Sequence, residues 1–339
     1  MAATNSEVWQ RGAVVATTTI ADDIRRIEIE TARPAKADPG SHIDVMVVVD
    51  GVREKRSYSV VDASPDGRLL TISVFRAPAS RGGSVYMHTL APGDEIEMTQ
   101  PLQNFPLRIG AEEYVLLAGG IGITAIKHMA AALHSLKADY RLVYVGRTRS
   151  AMAYLDELMA VHGDRMVVHV DDEGTSLQVA ELIDSTTDAT ELYMCGPIRL
   201  MDVVRRSWGT VGRIIPNLRY ETFGNSGWFD PQEFTVAIPR LNVEVAVPPD
   251  QSMLEALEAA GVDMMFDCRK GECGLCEVRV LELDGVIDHR DVFYSERQQD
   301  AATKMCCCVS RTVTSVEGTA SSAAADGRPR RARIAIDVS

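Results

Sequence analysis

The sequence predicts a multi-domain chain: an antiparallel β-barrel, then an α/β domain on a parallel sheet, then a compact α+β domain. Three observations predict it. Up to about residue 105, short runs of strand-forming residues are separated by glycine and proline turns. From Tyr114 the rhythm changes to buried strands alternating with helical segments, the pattern of a parallel sheet covered on both faces. After Phe234, two more strands and a short helix lead into a region holding six of the seven cysteines.

The barrel strands read as IRRIEIE (24–30), IDVMVVV (43–49), RSYSVVD (56–62), LLTISVF (69–75) and DEIEMTQ (94–100), divided by PG, DG, PDG, RGG and PGD turns. In the second segment, YVLLAGG (114–120), YRLVYVG (140–146), RMVVHVDD (165–172) and ELYMCGP (191–197) are strands. Helical spacing marks 123–137, 150–163, 177–183 and 198–208. NSGWFDPQE (225–233) is turn-rich and reads as a linker. FTVAIP (234–239) and NVEVAVP (242–248) are strands, Ser252 caps the helix MLEALEAAG, and RIAIDVS closes the chain as a strand. Residues 312–327 are of low complexity and read as a loop.

The 339 residues carry 35 basic and 48 acidic side chains, a net charge of −13, which argues against nucleic acid and anionic membranes as partners. No basic and apolar leader opens the chain, and the longest uncharged run, Tyr114–Ile126, falls short of the ~20 residues of a membrane span. A cytoplasmic location is expected. Thiols stay reduced there, so seven cysteines imply ligands, catalysis or burial.

FDCRKGECGLCEV spaces Cys268, Cys273 and Cys276 as C-x4-C-x2-C, the spacing of three ligands of a plant-type 2Fe-2S centre whose fourth cysteine lies further on. A zinc knuckle or free thiols would be the alternative; zinc sites more usually repeat C-x2-C pairs. AGGIGITAI fits G-x-G-x-x-A through Gly120, Gly122 and Ala125 between a strand and a helix, where backbone N–H groups can meet a pyrophosphate. The acidic residue expected about 20 positions on, to hold the ribose, is missing; Arg147 and Arg149 stand there. Arg56 in RSYS can bind a phosphate bidentately, and Gly82, Gly83 and Ser84 in RGGS offer further donors.

The order RSYS, RGGS, NFPL, AGGIGIT, GRTRS, CGP, ETFG, C-x4-C-x2-C, DGVIDHRD and CVSR resembles the phthalate dioxygenase reductase family over nearly the whole chain. The resemblance implies a flavin-binding barrel (1–108), an NAD(H)-binding α/β domain (109–224), a linker (225–233) and a β-grasp-like plant-type 2Fe-2S ferredoxin domain (234–339). It implies FMN as the flavin, held by Arg56, Ser57, Tyr58, Ser59, Ser73, Val74, Arg76, Gly82, Gly83 and Ser84. For the nucleotide it implies Gly119, Gly120, Gly122, Thr124, Arg147, Arg149, Cys195, Gly196 and Pro197, with Thr124 and Cys195 flanking the nicotinamide and Phe223 near the flavin. Cys195 reads equally well as a small buried residue. Relatives carry proline where this chain has Ala125.

Three consecutive cysteines, Cys306, Cys307 and Cys308, compete for the fourth ligand position. In an extended segment Cys306 and Cys308 share a face and Cys307 opposes them. The family places its ligand directly before V-S-R, which is Cys308 here.

NADH gives two electrons together and a 2Fe-2S centre accepts one, so a flavin must stand between them. The expected protein is a monomeric NADH-dependent reductase serving a Rieske non-haem iron oxygenase that acts on an aromatic acid or similar compound. Alternatives are a reductase for a demethylase or haem monooxygenase, or a flavin and iron–sulfur redox sensor. The chain shows no Rieske ligand motif of its own, and His88, His128 and His134 read as surface or packing residues.

Overall fold

A computed structural model of the protein describes residues 7–78, 80–224, 227–314 and 331–338. It divides into two compact units, residues 1–221 and 222–339.

The first unit opens with β1 (Trp9–Ala21), β2 (Ile24–Thr31), β3 (Ser41–Val49), β4 (Val52–Ala63), β5 (Leu69–Phe75), β6 (Glu95–Thr99) and β7 (Leu102–Gln103). They pair in the order β4-β5-β2-β1-β6-β3-β7, and β3 also pairs with β4. That extra ladder closes six strands into an antiparallel barrel. Inward residues Ile27, Ile29, Ile43, Val45, Val47, Leu70 and Ile72 are completely buried and fill it. The long β1 was not among the strands legible in the sequence. Its alternation is interrupted by bulges between Val14 and Ala16 and between Thr19 and Ala21. RGGS, read as a turn, instead leads into a helix, α1 (Gly83–Thr89), that packs on β3 and β5.

A parallel sheet follows in the same unit: β8 (Glu113–Gly119), β9 (Tyr140–Gly146), β10 (Met166–Val170), β11 (Thr190–Cys195) and β12 (Leu218–Glu221), in the order β10-β9-β8-β11-β12. Its helices are α2 (Ile123–Ser135), α3 (Leu155–His162), α4 (Val179–Asp184) and α5 (Ile198–Val211). The strand order reverses between β8 and β11, and such a switch point is where doubly wound sheets bind ligands. Helix α3 starts five residues later than expected because Tyr154 has φ +63°, which ends a short turn at Arg149–Ala151 before the helix can begin.

The second unit pairs β13 (Phe234–Ile238), β14 (Val243–Val247), β15 (Glu277–Asp284), β17 (Lys304–Cys306) and β19 (Ala332–Asp337) in the order β14-β13-β19-β15-β17. β16 (Val286–Asp288) and β18 (Arg311–Val313) form a separate ribbon. Helix α6 (Met253–Ala259) carries the expected Ser252 cap, extended to a capping box with Glu255, and buries Met253, Leu254 and Leu257 against the sheet. Helix α7 (Glu296–Ala301) precedes β17. The segment read as a linker is hydrogen-bonded into this unit: Trp228 N–H donates to Asp288, and Arg290 and Arg311 donate to the carbonyls of Phe229 and Gln232. Most of the low-complexity stretch 312–327 lies outside the described residues. No helix among the described residues is long and apolar enough to cross a membrane.

Candidate functional site

On the barrel, β3 and β4 run antiparallel with Asp44 opposite Ser57 and His42 opposite Ser59. The Ser57 hydroxyl donates to Asp44 at 2.5 Å, and the Ser59 hydroxyl to the buried Glu221 at 3.3 Å. Tyr58 is half-buried between them, and burial pushes its phenol up. The tertiary fold brings RSYS and RGGS together. A Cβ on Gly83 would stand 2.9 Å from the Arg56 Cγ and Nε, so the arginine lies directly against the glycine loop. Arg56 donates to the Lys55 carbonyl at 3.0 Å and is ion-paired with Glu54. Ser84 donates to Ser80 at 2.8 Å. Arginine, loop and hydroxyl thus form a polar cradle suited to a phosphate. Ser73 meets the Tyr154 hydroxyl at 2.5 Å, Val74 is buried, and Arg76 pairs with Asp23 at 3.2 Å.

At the switch point of the parallel sheet, the two glycine turns pack on each other. A Cβ on Gly122 would fall 2.1 Å from the Cys195 carbonyl oxygen, one on Gly119 2.8 Å from Pro197 Cδ, and one on Gly196 3.1 Å from Gly119 Cα. Only glycine permits this approach, and the approach forms the floor of the crevice. Gly120, by contrast, has open space where its Cβ would be, so a ligand can lie against it. Thr124 is buried and donates to the Ile121 carbonyl at 2.9 Å. Cys195 is buried at the end of β11. Arg147 and Arg149 follow β9, where the sequence led them to be sought, and both are exposed.

In the second unit the loop after α6 holds Cys268, Cys273 and Cys276. Gly271 and Gly274 have φ +76° and +74°. A Cβ at Gly271 would lie 2.6 Å from Val309, and one at Gly274 2.3 Å from the Phe293 ring. The N–H groups of Lys270 and Glu272 each point to the Cys268 sulfur at 3.4 Å. The neighbouring Cys308 thiol, and then these N–H groups with that of Cys273, draw the Cys268 thiol down to about 4. Contacts with Cys306, Cys307 and Cys308 draw Cys276 down as well. The thiolate is the ligand form of cysteine, so this donor set suits a thiolate-bound metal, and the C-x4-C-x2-C spacing is that of a plant-type 2Fe-2S centre. Among the described residues no three His, Cys, Asp or Glu side chains are arranged as the shell of a single ion; thiol contacts run from Cys276 to Cys306, Cys307 and Cys308, and from Cys308 to Cys268.

The triple cysteine is not extended, which corrects the simple alternation of faces. β17 ends at Cys306, and the N–H groups of Val309 and Ser310 return to its carbonyl at 3.4 and 3.0 Å. In this turn all three thiols reach Cys276, but only Cys308 also reaches Cys268. Cys307 is pinned through its backbone: its N–H donates to the Cys276 carbonyl at 3.1 Å and its carbonyl accepts from Leu254 at 3.0 Å. Phe223, half-buried, lies in the same unit, where the adjoining Thr222 N–H donates to Glu272 at 3.1 Å.

Sequence reasoning missed Asp44, Tyr154 and Glu173, and Glu221 entered it only as the first letter of ETFG; each acts through a partner on another element, which no local motif reveals.

Known proteins agree with this layout. Residues 236–312 match the 2Fe-2S iron-sulfur cluster binding domain family and residues 116–206 the oxidoreductase NAD-binding domain family. The carnitine monooxygenase reductase subunit of Acinetobacter pittii is 34% identical over 80% of this chain and 88% of its own. The phenoxybenzoate dioxygenase subunit beta of Ectopseudomonas oleovorans is 35% identical over 85% and 90%. The crystal structure of phthalate dioxygenase reductase, a modular protein for electron transfer from pyridine nucleotides to [2Fe-2S], superposes with a TM-score of 0.68 at 28% identity, covering 97% of this chain and 98% of that one. An NAD-binding module and a 2Fe-2S module in one oxidoreductase, matched end to end, place the chain in the phthalate dioxygenase reductase family, the reductase subunits of oxygenase systems.

Proposed function

We propose that the chain is a cytoplasmic, monomeric NADH-dependent reductase that uses FMN and one 2Fe-2S cluster to serve a Rieske non-haem iron oxygenase acting on an aromatic acid or a similar compound. The two bound groups supply the conversion of a hydride's electron pair into single electrons. The residues of the chain bind and align them. Arg56, with Gly82, Gly83 and Ser84, would hold the FMN phosphate; Ser57, Tyr58, Ser59, Ser73, Val74 and Arg76 would border the flavin, with Phe223 near it. Gly119, Gly120, Gly122, Gly196 and Pro197 would seat the nicotinamide nucleotide beside Thr124 and Cys195. Cys268, Cys273, Cys276 and Cys308 would ligate the cluster. The domains would run 1–108, 109–224 and 234–339, with 225–233 between the last two.

The C-x4-C-x2-C loop, with Cys308 paired to two of its cysteines, Cys268 and Cys276, supports this reading. Its test is the cofactor content of the purified protein. FMN and a 2Fe-2S cluster in equal amounts are expected; extracted FAD, or zinc without acid-labile sulfide, overturns it. Turnover with a purified Rieske oxygenase tests the partner, and failure there with a loaded reductase moves the assignment to another oxygenase class.

Arg56→Ala is expected to weaken FMN retention about tenfold or more, the loss of one charge-assisted contact worth ~1.5 kcal/mol or above. Flavin titration of the stripped protein measures it. Added FMN should restore NADH oxidation; unchanged affinity removes Arg56 from the phosphate site.

A further inference from the structure

The acid missing after β9 in the sequence is supplied in space by the neighbouring strand. β10 runs parallel to β9 with Val170 opposite Gly146, so the ends of the two strands lie side by side. The Asp172 N–H donates to the Arg147 carbonyl at 3.1 Å and ties the ends together. Across this junction Glu173 takes the Arg149 guanidinium bidentately, at 2.6 Å from Nε and 2.8 Å from Nη2. Arg149 is therefore occupied along the edge that matches a carboxylate or a phosphate. Asp172 adds a further negative charge acting on Arg149, whereas the Asp171 carboxylate accepts from the Ser176 hydroxyl at 3.0 Å.

This junction is where doubly wound nucleotide domains distinguish their dinucleotides. An acid after the second strand accepts the ribose 2′-hydroxyl of NADH, whereas an arginine there accepts the 2′-phosphate of NADPH. We propose that Glu173 selects NADH: it holds Arg149 out of reach of a 2′-phosphate and leaves the strand ends with a surplus of negative charge. An arginine that favours NADPH by its place in the sequence is thereby silenced by an acid from the next strand. The inference rests on the NADH reading above. Glu173 is a positioning residue in this account, acting through Arg149.

The experiment compares wild type, E173Q, R149A and E173Q/R149A as FMN- and cluster-loaded proteins. It measures kcat/KM for NADH and NADPH, and binding of 2′,5′-ADP against 5′-ADP by calorimetry. Both side chains are exposed, so the variants should fold. E173Q is expected to tighten 2′,5′-ADP about tenfold relative to 5′-ADP, the scale of one charge-assisted contact, and to raise kcat/KM for NADPH relative to NADH by a similar factor. R149A should cancel that gain in the double variant while changing the ratio little in the wild-type background. A ratio that moves less than about twofold in E173Q, or a gain that survives R149A, overturns the role of Glu173. A wild type that itself prefers NADPH overturns the NADH reading instead, so the two failures are distinguishable.

Discussion

Cys308→Ser is expected to remove the 2Fe-2S centre. Its visible absorption and its EPR signal after reduction should be lost. Electron delivery to a one-electron protein acceptor should fall beyond the about 100-fold reached when the surroundings of a metal ligand are altered. NADH-driven reduction of ferricyanide, which needs only the nucleotide and flavin sites, should persist. The reason lies in the turn at the end of β17. Cys308 is the member of the triple cysteine whose thiol meets both Cys268 and Cys276, as a fourth ligand beside the C-x4-C-x2-C loop would. Cys306 and Cys307 reach Cys276 without reaching Cys268. Cys306→Ser and Cys307→Ser should accordingly keep the native EPR spectrum. If Cys306 rotates in to replace the lost ligand, the Cys308→Ser protein shows a shifted signal. A native signal in that protein would exclude Cys308 as a ligand.

The second large effect is expected at Gly122. In Gly122→Ala the new methyl would fall 2.1 Å from the Cys195 carbonyl oxygen, and neither side of that contact is a flexible side chain. β8 and β11 are adjacent in the sheet, with Cys195 opposite Ala118, so relief requires the two strand ends to part. Forced expansion of a close-packed contact costs roughly 1–3 kcal/mol where side chains yield, and a backbone clash belongs at or above the top of that range. The crevice floor would be displaced with it. Denaturant unfolding should show the lost stability, and KM for NADH should rise by about tenfold or more, as 1.4 kcal/mol of lost binding requires. Gly120→Ala provides the contrast. No atom lies within 4 Å of its Cβ, but its φ of +53° strains any other residue, so a smaller stability loss of about 1 kcal/mol is expected. Equal effects at the two positions would show that the contact with Cys195 does not hold the crevice.

Both predictions concern positions already visible in the sequence, and the reason is physical. Glycine turns, a cysteine spacing and the change from barrel turns to strand–helix alternation are local properties. Each reflects a constraint on a few consecutive residues: a close backbone approach, a loop short enough to present several thiols together, or the period of a half-buried element. From them the antiparallel barrel, the parallel sheet and the cysteine-bearing α+β segment, with the AGGIGIT, CGP and C-x4-C-x2-C motifs, were legible in the sequence. Where local signals were mixed, the reading was incomplete. β1 was missed because bulges break its alternation. Helix α3 was drawn too long because nothing in SAMAYLDEL announces the left-handed Tyr154.

The sequence by itself determined which chemistry the chain carries, since the residue types that bind phosphate, nicotinamide nucleotide and iron are set by their donors. Tertiary structure decided which of those residues meet. The face that each of Cys306, Cys307 and Cys308 presents follows from the turn that ends β17, a hydrogen-bonding outcome that three identical letters cannot encode. The pairing of Arg149 with Glu173 follows from the parallel register of β9 and β10. Arginine after β9 carries a positive charge in either case. Whether that charge is offered to a ligand depends on the carboxylate that the neighbouring strand brings within 2.6 Å, and only the folded sheet sets that distance.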